Sequence, residues 1–266
     1  MRNALLIPFL AALALPAPGL AQSVDDLVQV QVLPGWREAN GVHIAGVEIS
    51  LAPGWITYWR APGDGGIPPQ FSFANDDAVS AITPHWPTPE VFYSNGMHSI
   101  GYDGGVVFPL TVAAQDAGPL SLSGELFIGI CEEICIPVTV GFDATLPAAG
   151  AFDERIGDAL QMAAIPADAA QVGTVTCRVS PLADGIELTA IIPIPQTAPS
   201  EFVVVEAGDT SIWVSEAEVS RDGASLQAVV EMVHPSGAPF ALDRSALRLT
   251  VIGGPRAVDI RGCNGG

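Results

Sequence analysis

The feature that most restricts the fold of this chain is the alternation of apolar and polar residues at period two. Val28-Gln-Val-Gln-Val32 alternates strictly, and Val42-His-Ile-Ala-Gly-Val-Glu-Ile-Ser-Leu51 follows after the turn Glu38-Ala-Asn-Gly41. Leu120-Ser-Leu-Ser-Gly-Glu-Leu-Phe-Ile128 and Ile136-Pro-Val-Thr-Val-Gly-Phe142 continue the pattern. Period two sends successive side chains to opposite faces, which describes a half-buried strand and not a helix. Gly, Pro, Asn and Asp bound the runs, as turns require. A hydrophobic content of 49 % gives the strands a core to bury and excludes a disordered chain. The spacing of strands and turns predicts an all-β chain of sandwich type.

One stretch breaks the alternation. Phe152-Asp-Glu-Arg-Ile-Gly-Asp-Ala-Leu-Gln-Met-Ala163 sets Phe152, Ile156 and Leu160 on one helical face, with Pro147-Ala-Ala-Gly150 before it and Pro166 after it. It predicts a short helix joining two β-rich domains. The second region runs from about Val172 to Ile260, with clear strands at Ile186–Ile192, Phe202–Glu206, Leu226–Val233 and Leu247–Ile252. The expected division is a signal peptide at 1–21, a sandwich at 22–147, a helical linker at 148–168 and a second sandwich at 169–266.

The signal peptide is read from Arg2, the apolar run Leu5 to Leu15 broken only by Pro8, and the small residues of Gly19-Leu-Ala21. Cleavage is expected after Ala21. The run is short for a membrane anchor, and no later segment is long and apolar enough to span, so no stable membrane insertion is expected. All ten basic residues are Arg, against 29 Asp+Glu. Without Arg2, nine Arg face those 29 carboxylates, a net charge of −20. Such a chain repels nucleic acid and anionic lipid, whose binding needs phosphate neutralisation.

Export carries cysteines into a compartment where disulfides persist. Cys177 falls in the first strand of the second region and Cys263 just after its last, so they are expected to form a structural disulfide. Cys131 and Cys135 are separated only by Glu132-Glu133-Ile134, with strand-like sequence on both sides. Two antiparallel strands would bring them within disulfide reach. A bond closing so short a loop restricts the unfolded chain little, so reversible exchange is a better use of the pair than a staple. Glu132 and Glu133 disfavour a nearby thiolate, which leaves a partner to promote attack.

The first domain resembles the N-terminal periplasmic domain of the thiol:disulfide interchange protein DsbD and of the related ScsB proteins. The resemblance is carried by Trp55-Ile-Thr-Tyr-Trp-Arg60, Pro62-Gly-Asp-Gly-Gly-Ile-Pro-Pro69, Trp86-Pro-Thr-Pro-Glu-Val-Phe-Tyr93, Gly101-Tyr102, Phe108-Pro-Leu110 and the Cys131–Cys135 motif with Pro137, in that order. It covers about half the chain; the second domain resembles the additional sandwich of ScsB-like proteins only loosely. The resemblance implies immunoglobulin-like sandwiches, a periplasmic location and a thiol:disulfide oxidoreductase component without organic cofactor. It implies that Cys135 forms the mixed disulfide and Cys131 resolves it, with Phe92 and Tyr93 in a cap loop over the sulfurs. The implied partners are a membrane-embedded thiol reductase and thioredoxin-like periplasmic proteins, met in trans. The spacer between the cysteines is shorter here than in the best-known members.

Two other readings remain open on the residues alone. Cys131, Cys135, Met97 and His98 together offer soft ligands suited to Cu(I). A non-catalytic interaction sandwich with two structural disulfides is the other. Trp55, Tyr58, Trp59 and Trp86 are expected to fill the sandwich core, and Arg60 to pair with Asp64. His43, His85 and His234 are scattered, and no Ser-His-Asp or paired-carboxylate arrangement stands out. The glycines of Pro62–Pro69 lack the Lys and following helix of a phosphate loop.

Overall fold

The computed structural model describes residues 23–266 except Asp64, Asn75, Asn95, Ala238 and Pro239. The segment read as a signal peptide lies outside the described residues. After a single helical turn, α1 (Val24–Leu27), the first sandwich takes β1 (Val28–Arg37), β2 (Val42–Leu51), β3 (Ile56–Tyr58), β4 (Gln70–Phe73), β5 (Val79–Pro84), β6 (Glu90–Ser94), β7 (Met97–Asp103), β8 (Gly105–Ala114), β9 (Leu120–Cys131) and β10 (Cys135–Leu146). One sheet has the order β1-β2-β8-β5; the facing sheet is β10-β9-β3-β7-β6, with β4 also paired to β9. Leu110, Leu126, Ile128 and Phe108 are wholly buried between them, and Trp59 nearly so.

Helix α2 (Glu154–Gln161) follows, capped by Asp153, whose side chain accepts from the Arg155 amide. It packs on the outer face of the first sheet. Ile156 is fully buried there with Leu33 and Ile44. This explains why β2 is not strictly alternating: it is covered on both sides. Gly46 makes the approach possible, since a Cβ there would lie 3.1 Å from the Ile156 side chain. Phe152, expected on the helix face, precedes the helix and stays 65 % exposed, its ring 4.9 Å from that of Trp36.

The second sandwich takes β11 (Ile165–Pro166), β12 (Thr176–Pro181), β13 (Ile186–Pro193), β14 (Phe202–Glu206), β15 (Trp213–Val214), β16 (Glu218–Asp222), β17 (Ser225–Val233), β18 (Arg248–Ile252), β19 (Val258–Arg261) and β20 (Asn264–Gly265). Its sheets are β11-β19-β18-β14 and β15-β17-β13-β12-β20, with β16 also on β17. The alternation sets the register: Leu188 faces Val230, Ala190 faces Ala228 and Ile192 faces Leu226, all buried. A one-residue slip would turn these rows to the opposite face. Ile165–Pro166, within the segment expected as linker, already pairs with β19.

The two sandwiches share an interface. Ile252 and Ala257 of the second belong to the core of the first, and the Ala257 amide donates to Thr88 Oγ1 at 2.9 Å. Arg60 crosses the interface. Its guanidinium donates to both Glu206 oxygens at 3.1 and 3.0 Å and to Thr250 Oγ1 at 3.2 Å, 3.8 Å above the Trp59 ring. Asp64 is outside the described residues. Glu206 lies 146 positions away, which local spacing does not reveal.

Cys177 and Cys263 are joined, with Cα atoms 5.8 Å apart and a sequence separation of 86. The tail strand β20 runs parallel to β12, and this brings the two cysteines together. In the chain-entropy account so long a loop is worth about 4–5 kcal/mol, against about 2 kcal/mol for a loop of the Cys131–Cys135 length. Urea unfolding of the Cys177→Ala/Cys263→Ala variant should therefore show a loss of about 4 kcal/mol. A loss below about 1 kcal/mol would mean that this bond does not staple the fold.

Candidate functional site

Strands β9 and β10 form one hairpin paired over twelve rows, from Leu120 opposite Leu146 to Cys131 opposite Cys135. The alternation within both strands fixes that register, so the cysteines close the ladder as a facing pair. Their Cα atoms are 4.2 Å apart and the sulfurs are bonded. The loop is Glu132-Glu133-Ile134, all exposed. On its other side Cys131 pairs with Ile56 of β3.

The two sulfurs have different surroundings. Cys131 is 5 % exposed, whereas Cys135 is in the exposed class. The buried Tyr58 hydroxyl donates to Cys131 Sγ at 2.8 Å and lies 3.2 Å from Cys135 Sγ. Burial raises the Tyr58 pKa above its ordinary value. Two glycines admit its ring. A Cβ at Gly129 would come within 3.1 Å of two ring carbons, and one at Gly66 within 2.8 Å of another. The Thr57 hydroxyl donates to the Gly129 carbonyl at 2.9 Å and ties β3 to β9 beside the bond. Gly66 and Ile67 thus lie against Tyr58 and Gly129. Trp55 and Trp59 fill the core as expected. Tyr58 is buried as expected too, but its contact with the sulfurs escapes sequence reasoning. The available signal was its place in the strand Ile56–Tyr58, two residues from the row that holds Cys131.

The other candidate residues lie elsewhere. The Cys131 row runs through Ile56 to Asp103 of β7. Phe92 pairs with Ser99 and Tyr93 with His98, four and five residues up β7 from that row. At about 3.3 Å per residue this places them about 13–17 Å along the sheet, and three strands across. The hairpin that carries Phe92 and Tyr93, to which the resemblance gives the cap role, reaches toward the second sandwich through His98, which meets Glu216 and Phe202. Tyr93 is 70 % exposed, its ring 5.0 Å from that of His98 and tilted by 48°; His98 pairs with Glu216 at 2.8 Å. The same register separates Met97 and His98 from the sulfurs, so the four residues of the Cu(I) reading are not assembled. Among the described residues there is no group of three or more His, Cys, Asp or Glu placed to hold a metal ion.

The remaining histidines have local roles. His43 is buried with Nε2 2.6 Å from the Pro34 carbonyl, and burial lowers its pKa. His85 meets the Thr111 hydroxyl at 2.6 Å. A cleft of about 570 Å³ opens between the sandwiches beside Arg60, Ile100, Phe202 and Trp213. No cysteine lines it.

The arrangement makes the two sulfurs unequal: the Tyr58 hydroxyl lies 2.8 Å from Cys131 Sγ against 3.2 Å from Cys135 Sγ, and can donate to a charge developing at the nearer one. Tyr58→Phe should slow reduction of the Cys131–Cys135 bond by dithiothreitol about 3–10-fold, the kinetic equivalent of one net hydrogen bond. An unchanged rate, followed by thiol alkylation, would remove Tyr58 from the account.

Residues 25–147 match the family described as thiol:disulfide interchange protein DsbD, N-terminal. Among solved structures, the N-terminal periplasmic domain of ScsB from Proteus mirabilis is similar with a TM-score of 0.71 and 24 % sequence identity, covering 93 % of this chain and 97 % of that one. This likeness of fold spans both sandwiches. No curated protein matches the chain in sequence.

Proposed function

With residues 25–147 identified as an N-terminal-type domain of the DsbD family, we propose that this protein passes electrons by thiol–disulfide exchange through Cys131 and Cys135. The observation that carries the reading is the asymmetry of the pair: Cys135 exposed, Cys131 buried under the Tyr58 hydroxyl. Cys135 forms the mixed disulfide with a partner, and Cys131 resolves it. The pair works between a membrane-embedded thiol reductase and thioredoxin-like proteins of the periplasm. The Cys177–Cys263 bond holds the second sandwich and takes no part in the exchange.

The chemistry needs no organic cofactor, since the two sulfurs carry the electron pair themselves. Location in the periplasm accords with the family and with the leader read at residues 1–21. No helix among the described residues is long and apolar enough to cross a membrane.

The assignment of roles is tested with single-cysteine variants and glutathione disulfide. Cys131→Ser should take up glutathione at Cys135 at least about tenfold faster than Cys135→Ser takes it up at Cys131, because thiolate access governs the rate. Mass spectrometry of the time course reads both. Equal rates, or a faster Cys131, would contradict the assignment.

A further inference from the structure

We propose that the hairpin tip Glu132-Glu133-Ile134 is a recognition element that selects a partner cysteine set in an apolar, positively charged protein surface. The proposal rests on the reading of Cys135 as the attacked sulfur and adds what that sulfur's surroundings accept.

Ile134, in the loop, is 73 % exposed, while Val138 and Phe142 of the strand that follows are 8 % and 7 % exposed. It directly precedes Cys135. A mixed disulfide at Cys135 requires the partner's Cα within about 4.4–6.8 Å of that of Cys135. At that distance the partner's surface also covers the neighbouring side chain. An apolar partner surface removes Ile134 from water, and a polar one does not. The residue is therefore placed to discriminate at the moment of exchange, without bearing on the fold.

The charges act in the same encounter. Glu132 and Glu133 are both exposed beside the bond. Gly54, at φ +84°, has no side chain to displace the Glu132 carboxylate, whose Oε1 lies 3.2 Å from where a Cβ would stand. The attacking species is a thiolate, an anion approaching two carboxylates on a chain with 29 Asp+Glu and 10 Arg. A thiolate without compensating charge is repelled, whereas one beside Lys or Arg, or at a helix N-terminus, is attracted. The positive environment that makes a partner's cysteine a thiolate is thus the one that the tip prefers.

The step balances without a further reagent. A partner thiolate attacks Cys135 Sγ, the Cys131–Cys135 bond breaks, and Cys131 leaves as a thiolate that takes a proton from solvent. A second partner thiol then attacks the mixed disulfide. The partner's two sulfurs are oxidised to a disulfide, and Cys131 and Cys135 are reduced to thiols.

The test uses three synthetic peptides, each with one cysteine: one flanked by Leu and Lys, one by Leu and Glu, one by Ser alone. Second-order rates of attack on the oxidised mature protein are measured per thiolate, at low salt and in 0.5 M sodium chloride. The Leu/Lys peptide should react at least about tenfold faster than the Leu/Glu peptide at low salt, with most of that ratio lost at high salt. Glu132→Gln/Glu133→Gln should bring the ratio to about threefold or less. Ile134→Ser should slow the Leu/Lys peptide about fivefold but leave the Ser peptide and dithiothreitol unchanged. The dithiothreitol rate also reports that each variant is folded around its disulfide. Ratios within about twofold in the unsubstituted protein, or ratios indifferent to the substitutions, would overturn the recognition role while leaving the exchange reading intact. Failure of dithiothreitol to reduce the bond in the folded protein would overturn both.

Discussion

The twelve-row pairing of β9 with β10 is the constraint on which the candidate site depends. Each strand is specified by its own alternation, and each has neighbours that hold it in place: β9 is flanked by β3 and β4 as well as β10. A slip of one residue would turn buried Leu122, Leu126 and Ile128 out of the core. The register is therefore held by hydrophobic burial along the whole hairpin, and the cysteines at its end inherit that placement. The core does the positioning, and the hairpin end remains free for chemistry.

Within this frame Gly129 and Gly66 decide what touches the sulfurs. Side chains at either position would occupy space taken by the Tyr58 ring. With the ring admitted, its hydroxyl lies 2.8 Å from the sulfur of buried Cys131 and 3.2 Å from that of the more exposed Cys135. The second disulfide has the opposite economy. It spans 86 positions, constrains the unfolded chain far more strongly, and sits where the tail strand meets β12. The long loop suits a staple, and the short loop suits a bond that is made and broken.

Much of this was legible in the sequence because the signals are local. Period two gave the strands, the apolar spacing of Ile156 and Leu160 gave the helix, and the positions of Cys177 and Cys263 at the ends of the second region suggested their bond. The facing of Cys131 and Cys135 followed from strand runs on both sides of a three-residue spacer. What escaped depends on long-range register or on contacts between the sandwiches. Arg60 finds Glu206 only because the sandwiches pack together. Phe92, Tyr93, Met97 and His98 lie on the same sheet as Cys131, but only the β3–β7 and β6–β7 pairings reveal how far along it they are. Tyr58 was expected simply to fill the core, since an aromatic residue in a strand carries no mark of what its hydroxyl will meet.

The central claim is that the Cys131–Cys135 bond exchanges and is not a structural tie. Its reduction potential tests this most directly, by equilibrating the mature protein in thiol redox buffers, quenching with an alkylating reagent and counting free thiols at these two positions. The account predicts a value of about −180 to −270 mV, the range of proteins that exchange disulfides. A value below about −300 mV, the range of structural disulfides in secreted proteins, would contradict it.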